Sequence, residues 1–249
     1  MARLDATSRL SRVGPEPLLC VAGLRVSFGR INAVKDLDLE VRKGEIVALI
    51  GSNGAGKTTL LETILGVHAP QGGSIRFRGR PIQGRSVDRN VRLGLCLVPE
   101  GSGVFASMSV LDNLLLGAHN DIASSSIRLR LVFEWFPILE RRRSQIAGTL
   151  SGGERRILAF GRALMSSPDL IMVDEPSLGL APRIVSEVFA ILARLNEEGY
   201  TILLAEQNAN KALACAHRAY VMETGSVVLA GSGQELREDP SVRAAYVGA

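Results

Sequence analysis

Aromatic residues are scarce, at 4 % of 249 residues, and the chain has only three cysteines and three histidines. The cysteines (Cys20, Cys96 and Cys215) stand far apart, so neither a disulfide framework nor a zinc knuckle is indicated. The histidines show no spacing typical of metal ligands. A nucleic-acid reader needs a basic stripe with interleaved aromatics, but the net charge is only +4. We therefore expect no nucleic-acid partner.

Long apolar runs are also missing. Stretches such as 46–50 are far shorter than the roughly 18–20 residues that a bilayer crossing needs. Residues 1–17 carry Arg, Asp and Glu and lack the apolar core of a secretory signal. Because 46 % of the residues are hydrophobic and 22 % are charged, the composition is typical of a globular protein with a sizeable core. We expect a cytoplasmic chain, with residues 1–17 as a flexible N-terminal tail.

Strand-like and helix-like segments alternate along much of the chain. Strands are predicted at residues 18–28, 34–41, 45–50, 74–78, 93–98, 170–173, 201–205, 219–223 and 227–230. Helices are predicted at residues 57–65, 154–165 and 182–198. Between about 99 and 150 the strand signal vanishes after a loop, and apolar residues recur at spacings of three and four. The pattern predicts an α/β fold, a largely parallel sheet covered by helices, with a helical insertion.

A phosphate-binding loop is indicated by Gly51-Ser52-Asn53-Gly54-Ala55-Gly56-Lys57-Thr58, which matches G-x4-G-K-[ST]. The motif follows a predicted buried strand and opens a predicted helix, as it must. Glycines let backbone N–H groups curl around phosphate oxygens, and the helix N-terminus adds partial positive charge. Lys57 is expected to reach the β- and γ-phosphates, and Thr58 to offer its hydroxyl to Mg²⁺. We predict that ATP binds along this loop through Thr59.

Two adjacent acids end the apolar strand at 170–173. Burying carboxylates at a strand tip is costly, which indicates a chemical role. Asp174 is the candidate Mg²⁺ ligand. Glu175 is the candidate general base, which would polarise the water that attacks the γ-phosphate.

A second anion site is indicated by the segment Leu150-Ser151-Gly152-Gly153-Glu154. Ser151 and Glu154 form a capping box at a helix start. Two consecutive glycines are more than a cap needs, and they expose bare N–H groups to a ligand. Two such sites on one chain would compete for one nucleotide. A head-to-tail dimer, in which each nucleotide lies between the phosphate loop of one subunit and this segment of the other, removes the conflict.

This set of motifs resembles the ATP-binding-cassette (ABC) ATPases over about residues 18–230. The resemblance implies a RecA-like core, an antiparallel β-subdomain and a helical subdomain inserted at about 99–150. After the region of resemblance we predict a C-terminal helical segment at 231–249. The resemblance also implies that Phe28 stacks on the adenine, and that Lys57, Glu175 and the residue at the switch-histidine position, Gln207, act in hydrolysis.

Three positions depart from the usual family pattern. Glu100 stands where Gln is usual, and its carboxylate is a further candidate for contact with Mg²⁺. Ala181 replaces an Asp, and Gln207 replaces the switch histidine with a side chain that donates a hydrogen bond but carries no charge. We therefore expect weak hydrolysis by a homodimer of this chain and a faster rate beside a different ATPase partner.

The same departures resemble one subgroup, the LivF-type ATPases of branched-chain amino acid importers. That resemblance implies permease subunits as partners, a second ABC ATPase subunit in a homo- or heterodimer, and, indirectly, a periplasmic solute-binding protein. It places the chain on the inner face of the cell membrane as a peripheral protein. Val104, Phe105 and Met108 are the predicted permease-docking residues.

Other functions stay open at this point. Importer ATPases for urea or short amides share these motifs. A soluble ABC ATPase that acts on chromosomes, ribosomes or protein assembly is disfavoured by the lack of long heptad insertions and of a second cassette. A P-loop kinase or another NTPase is disfavoured by the second pair of glycines.

Overall fold

The computed structural model describes residues 16–247, so the predicted tail at 1–17 lies almost wholly outside the described residues. In chain order the strands are β1 (Leu19–Phe28), β2 (Ile31–Val41), β3 (Ile46–Ile50), β4 (Gly72–Phe77), β5 (Arg80–Pro81), β6 (Leu95–Val98), β7 (Leu170–Asp174), β8 (Thr201–Glu206), β9 (Arg218–Glu223) and β10 (Ser226–Ser232). The α-helices are α1 (Lys57–Leu65), α2 (Val87–Arg92), α3 (Val110–Gly117), α4 (Ser125–Trp135), α5 (Pro137–Arg141), α6 (Gly152–Leu164), α7 (Pro182–Glu197), α8 (Ala209–Cys215), α9 (Gly233–Glu238) and α10 (Pro240–Val242).

The larger sheet has six strands in the order β10-β9-β3-β8-β7-β6. All neighbouring pairs are parallel except β9 and β10, which form an antiparallel hairpin. The register sets Ile50 beside Glu206 and Asp174 beside Ala205. The carboxyl ends of β3, β7 and β8 therefore meet at one edge, where the phosphate loop and both predicted acids lie.

Both faces of this sheet are covered, which explains why its strands read as continuous apolar runs. Side chains of β3 and β8 alternate between two hydrophobic cores, as the two-residue period of a strand requires. Ile46, Ala48 and Ile50 pack into the core shared with the helices α3 to α8, while Val47 and Leu49 pack into the core shared with α1 and the smaller sheet.

The smaller sheet is antiparallel, in the order β2-β1-β4-β5. The predicted α/β class, with a parallel core and an antiparallel subdomain, is confirmed. The short elements β5, α2 and α8 were not predicted. In α2 the deciding contact is tertiary, because the buried Asn90 donates its side-chain amide to the Leu65 carbonyl at 3.0 Å.

The helical insertion contains α3, α4, α5 and a short 3₁₀ turn at Ala147–Thr149. Its entry loop is fixed by Asn113, which accepts from the Phe105 N–H at 2.8 Å and donates to the Phe105 carbonyl at 3.0 Å. The side chain of Trp135 on α4 lies under the guanidinium of Arg194 on α7, with 4.2 Å between the Arg194 Cζ and the ring centroid. Over residues 16–247, none of the helices combines the length and the apolar character that a membrane span requires.

Candidate active site

The loop between β3 and α1 carries the glycines of the predicted phosphate site. Gly54 and Gly56 have φ angles of 81° and 102°, which favour glycine. A Cβ at Gly56 would overlap the carbonyl oxygen of Ala33, and one at Gly51 would overlap that of Met222. By contrast, nothing lies within 4 Å of the Cβ position at Gly54. Gly51 and Gly56 thus let the loop pack against neighbouring backbone, whereas the outer side of the loop is open at Gly54.

A cavity of about 430 Å³ lies against this loop, a size typical of small-molecule sites. The lining residues from the loop and α1 are Asn53, Gly54, Gly56, Lys57, Thr58 and Thr59. Glu100, Glu175 and Leu178 line other walls, as do residues of the turn and strand at 31–35. The structure therefore brings together the phosphate loop, the predicted base and the exposed Glu100.

Lys57 is buried, and its ammonium group is fully engaged. Nζ donates to the carbonyls of Gly51 at 2.7 Å and Ser52 at 3.0 Å, and it lies 3.0 Å from Glu175 Oε1. Because an ammonium has three protons, these three acceptors satisfy it. The predicted phosphate-binding cation and the predicted base are thus paired with each other.

Glu175 sits in a strained turn directly after β7. Its φ angle is 41°, in the left-handed region that L-residues rarely adopt. The Glu175 N–H donates to the Ala205 carbonyl at 2.9 Å, and its carbonyl accepts from the Leu178 N–H at 3.2 Å. Strain of this kind persists only where the surroundings hold it, and it is concentrated at functional sites.

Asp174 is 2 % exposed, and burial raises the pKa of its carboxyl from the usual 3.8 to about 6. The Thr58 hydroxyl and the Lys57 cation act in the opposite direction, while Glu175 and Glu100 add to the increase. Asp174 Oδ1 is buried and has no hydrogen-bond partner among the described residues. An unpartnered carboxylate oxygen close to a hydroxyl is a donor set that suits Mg²⁺.

Glu206, at the end of β8, is a site residue that the sequence reading did not identify. Its side chain is buried, and both carboxylate oxygens accept backbone N–H groups, Oε1 from Ser177 at 3.0 Å and Oε2 from Asn208 at 2.9 Å. The available signal was an acid that ends an apolar strand, as Asp174 does. Its neighbour Gln207 is exposed and does not line the cavity.

The predicted adenine-stacking residue, Phe28, lies at the end of β1 and is 44 % exposed. Its ring meets that of His68 edge-on, with 4.9 Å between the centroids. Phe28 does not line the cavity, whereas Ile31, its partner across the β1–β2 turn, does.

The Leu150–Glu154 segment forms the predicted capping box at the start of α6. The Ser151 N–H donates to Glu154 Oε2 at 2.8 Å, and the Glu154 N–H donates to Ser151 Oγ at 3.3 Å. The hydrogen bond from the Ser151 backbone is the main cause that lowers the pKa of Glu154, and Arg142 adds to it. None of these five residues lines the cavity. Ser151 and Gly152 are exposed, so within one chain this helix start is open to solvent and takes no part in lining the cavity.

The sequence is similar to those of known proteins. Residues 34–178 match the family model described as ABC transporter. The chain is 48 % identical to the high-affinity branched-chain amino acid transport ATP-binding protein BraG of Pseudomonas aeruginosa, over 89 % of this chain and 95 % of that protein. It is 33 % identical to the probable branched-chain amino acid transport ATP-binding protein LivF of Archaeoglobus fulgidus, over 89 % of this chain and 94 % of the relative.

The fold has solved counterparts as well. A crystal structure of an ATP-binding cassette of an ABC transporter, in its ADP conformation, superposes with a TM-score of 0.84 at 26 % identity, over 94 % of this chain and all of that one. Both the predicted RecA-like cassette fold and the predicted family are therefore confirmed.

Proposed function

This chain belongs to the ABC transporter family of ATP-binding proteins, and from that premise we propose that it powers a membrane importer for branched-chain amino acids. As a member of the family it binds and hydrolyses ATP in support of transport. The observation that carries the choice of solute is the 48 % identity to BraG over nearly the whole of that protein. Urea and short amides, which related importers take up, remain outcomes of the test below.

The nucleotide lies along the segment from Gly51 to Thr59, with its phosphates over the loop and the start of α1. Support comes from the open side of Gly54 and from the cavity against it. Phe28, exposed near the cavity, stacks on the base once nucleotide is present.

Thr58 and Asp174 hold Mg²⁺, and Glu100, which lines the cavity together with Thr58, is a further carboxylate near Asp174. When bound, the ion neutralises negative charge on the β- and γ-phosphate oxygens. The unpartnered Oδ1 of Asp174 supports this assignment.

Glu175 acts as the general base, and nucleotide makes it available. The γ-phosphate draws the Lys57 ammonium away, because phosphate oxygens carry more charge than one carboxylate oxygen. Glu175 then accepts a proton from the attacking water, and Gln207 donates a hydrogen bond to the γ-phosphate. The 3.0 Å contact between Lys57 Nζ and Glu175 Oε1 supports this order of events.

Hydrolysis requires two cassettes. The Leu150–Glu154 segment lies outside its own chain's cavity and leaves Ser151 and Gly152 exposed. In a head-to-tail dimer that exposed helix start contacts the γ-phosphate held by the other subunit. The partner is a second copy or a different ABC ATPase.

The permease docks in an apolar groove between the core and the helical insertion. The groove has a volume of about 440 Å³, and Leu97, Leu116 and Arg162 line it together with Phe105, which is 52 % exposed. Of the three predicted docking residues, Phe105 lines the groove, whereas Val104 and Met108 do not. Arg162 Nη1 is buried without a hydrogen-bond partner in the described chain. We infer that the permease inserts a cytoplasmic helix with an acidic residue here.

In the cell, these permease subunits hold the chain at the inner face of the membrane, and a periplasmic solute-binding protein delivers the solute to them. The test is uptake of labelled leucine, isoleucine and valine by cells that lack this chain. Expression of the wild-type chain should restore uptake, and expression of Lys57→Ala should not. Restoration of labelled urea or acetamide uptake, with leucine uptake unchanged, would reject branched-chain amino acids as the solute.

A further inference from the structure

Glu206 is a buried carboxylate for which the steps above give no role. It is 1 % exposed and lies between the strands that end at the phosphate loop and at the base. Burial of a carboxylate is costly unless hydrogen bonds and charge compensate it. The groups that supply these hydrogen bonds and this charge show which parts of the molecule Glu206 holds in place.

Both oxygens of Glu206 are used by loops of the active site. Oε1 accepts the Ser177 N–H at 3.0 Å, and Oε2 accepts the Asn208 N–H at 2.9 Å. Ser177 belongs to the turn after the base, and Asn208 follows Gln207. One carboxylate therefore ties the turn of the base to the segment that presents Gln207.

A buried cation extends this connection to a third loop. Arg156 is 3 % exposed, and Glu206 is the acid that interacts with its charge most strongly, ahead of Glu100 and Asp174. Arg156 Nη1 also donates to the Pro99 carbonyl at 3.0 Å, directly before Glu100. Arg156 thus holds the loop that precedes Glu100, and its positive charge favours the ionised form of Glu206.

The backbone strain at Glu175 explains why such a tie is needed. A φ angle of 41° at a glutamate persists only if neighbouring contacts hold the turn. The Glu206–Ser177 hydrogen bond acts two residues beyond Glu175, where the turn would otherwise relax. Relaxation would move the Glu175 carboxylate away from the water that it must deprotonate.

We propose that Glu206 is a positioning residue for ATP hydrolysis, which fixes the strained turn of Glu175 and the Gln207 segment in one arrangement. The proposal rests on the base role given to Glu175 above. Glu206 does not contact nucleotide or water in this scheme and acts through the two backbone N–H groups that it accepts.

Glu206→Gln is the most direct test, because the amide has the same shape but can accept only one of the two N–H groups well. We expect kcat for ATP to fall about 10- to 100-fold, the order of loss produced by misplacement of a catalytic group. The Kd for ATP should change less than about threefold, since no nucleotide contact is removed. Glu206→Asp, which keeps both acceptor oxygens, should recover part of the rate.

Glu45→Gln provides a matched control. Glu45 also accepts a backbone N–H, from Arg42 at 2.9 Å, and pairs with Arg218 at 3.3 Å. It directly precedes β3, whereas the phosphate loop follows β3, so Glu45 lies at the end of the strand that is far from the active site. We expect this variant to shift Tm in the same direction as Glu206→Gln and to leave kcat unchanged. An equal loss of kcat in both variants would show a general structural effect and overturn the proposal.

The decisive comparison is made in the full chain by single-turnover hydrolysis of labelled ATP, with and without Glu175→Gln. If Glu206 acts through Glu175, the rate loss caused by Glu206→Gln should shrink several-fold in the Glu175→Gln background. An undiminished loss there, or a wild-type rate for Glu206→Gln alone, would overturn the positioning role while the base role stands. A wild-type rate for Glu175→Gln would instead overturn the base role, and the positioning role with it.

Discussion

Lys57 Nζ lies 3.0 Å from Glu175 Oε1, and neither side chain is more than 8 % exposed. The proposed phosphate-binding cation is therefore paired with the proposed base. On the mechanism proposed above, phosphate must compete with Glu175 for the Lys57 ammonium before Glu175 can accept a proton from water.

Glu175→Gln should bind ATP more tightly and hydrolyse it far more slowly. The amide holds Lys57 less strongly than a carboxylate does, so phosphate competes for the cation more easily. We expect a gain of about tenfold in affinity, which corresponds to ~1.4 kcal/mol, and a loss of roughly 10²- to 10⁴-fold in kcat. Isothermal titration and phosphate-release assays measure the two effects.

The same variant should accumulate as a closed dimer with ATP, as seen by light scattering. Glu187→Gln, which alters an exposed carboxylate on α7, is the matched control and should behave as the wild type. Full turnover by particles that light scattering shows to be monomeric would contradict the two-cassette site.

Two inactive variants should restore activity to each other if the nucleotide lies between subunits. Lys57→Ala destroys the phosphate loop, and Ser151→Arg blocks the exposed helix start at a cost of about 1 kcal/mol for the lost cap. A mixed dimer still holds one intact loop opposite one intact Leu150–Glu154 segment. Mixing the two proteins should therefore restore hydrolysis, because up to one of the two nucleotide sites in each mixed dimer is complete. No recovery over a range of mixing ratios would argue against the head-to-tail arrangement.

Asp174 should make the metal-free chain less stable as pH rises through its titration range. Its folded-state pKa, about 6, is above the usual 3.8, so between these values the native chain keeps a proton that the unfolded chain has released. Stability therefore falls across this window, and the cost of the charge persists above it. In EDTA, Asp174→Asn should raise Tm by a few degrees at pH 7.5 and by less at pH 5, as measured by calorimetry.

With nucleotide present, the same titration should act on metal binding. Mg²⁺ competes with the proton for the Asp174 carboxylate, so the affinity for Mg²⁺ should weaken from pH 7 to pH 5.5. Asp174→Asn should bind Mg²⁺ poorly at both pH values. A variant with unaltered Mg²⁺ affinity would remove Asp174 from the proposed metal site.

Arg162→Glu should weaken association with the permease by at least about tenfold, because it places like charge against the acidic residue inferred on the docking helix. Phe105→Ala, at a half-exposed position, should weaken association without disturbing the fold. Both variants should bind ATP normally. Co-purification in mild detergent measures the effect, with Arg237→Glu on the exposed face of α9 as the control. Retention of the permease by both groove variants would exclude this docking surface.

Local patterns predicted most of the regular elements. The prediction for α1, residues 57–65, coincides with the structure, and the strands β3, β7 and β8 lie within one residue of their predicted bounds. Glycine flanks α1 and β3 at both ends and proline flanks β7, whereas β8 follows Gly199 and ends at the charged residue Glu206. Helix α2 has only six residues, too few for a helical period to show in the sequence, and Asn90 ties it to Leu65, 25 residues earlier.

The site was predictable where residues are neighbours in the chain, and less so where the fold joins distant segments. The loop from Gly51 to Thr58 can be identified from the spacing of its glycines, lysine and threonine alone. By contrast, the Lys57–Glu175 ion pair and the hydrogen bond from the Ser177 N–H to Glu206 depend on the order of strands in the sheet. Sequence patterns give the members of such a sheet more readily than their order.

Trp135 is the single tryptophan of the chain, and its ring bridges the inserted helices to the core through Arg194. An indole changes its emission when a nearby cation moves. Trp135 is therefore an intrinsic fluorescent probe at the junction of the helical insertion and the core, and stopped-flow fluorescence can test whether nucleotide changes that contact without any attached dye.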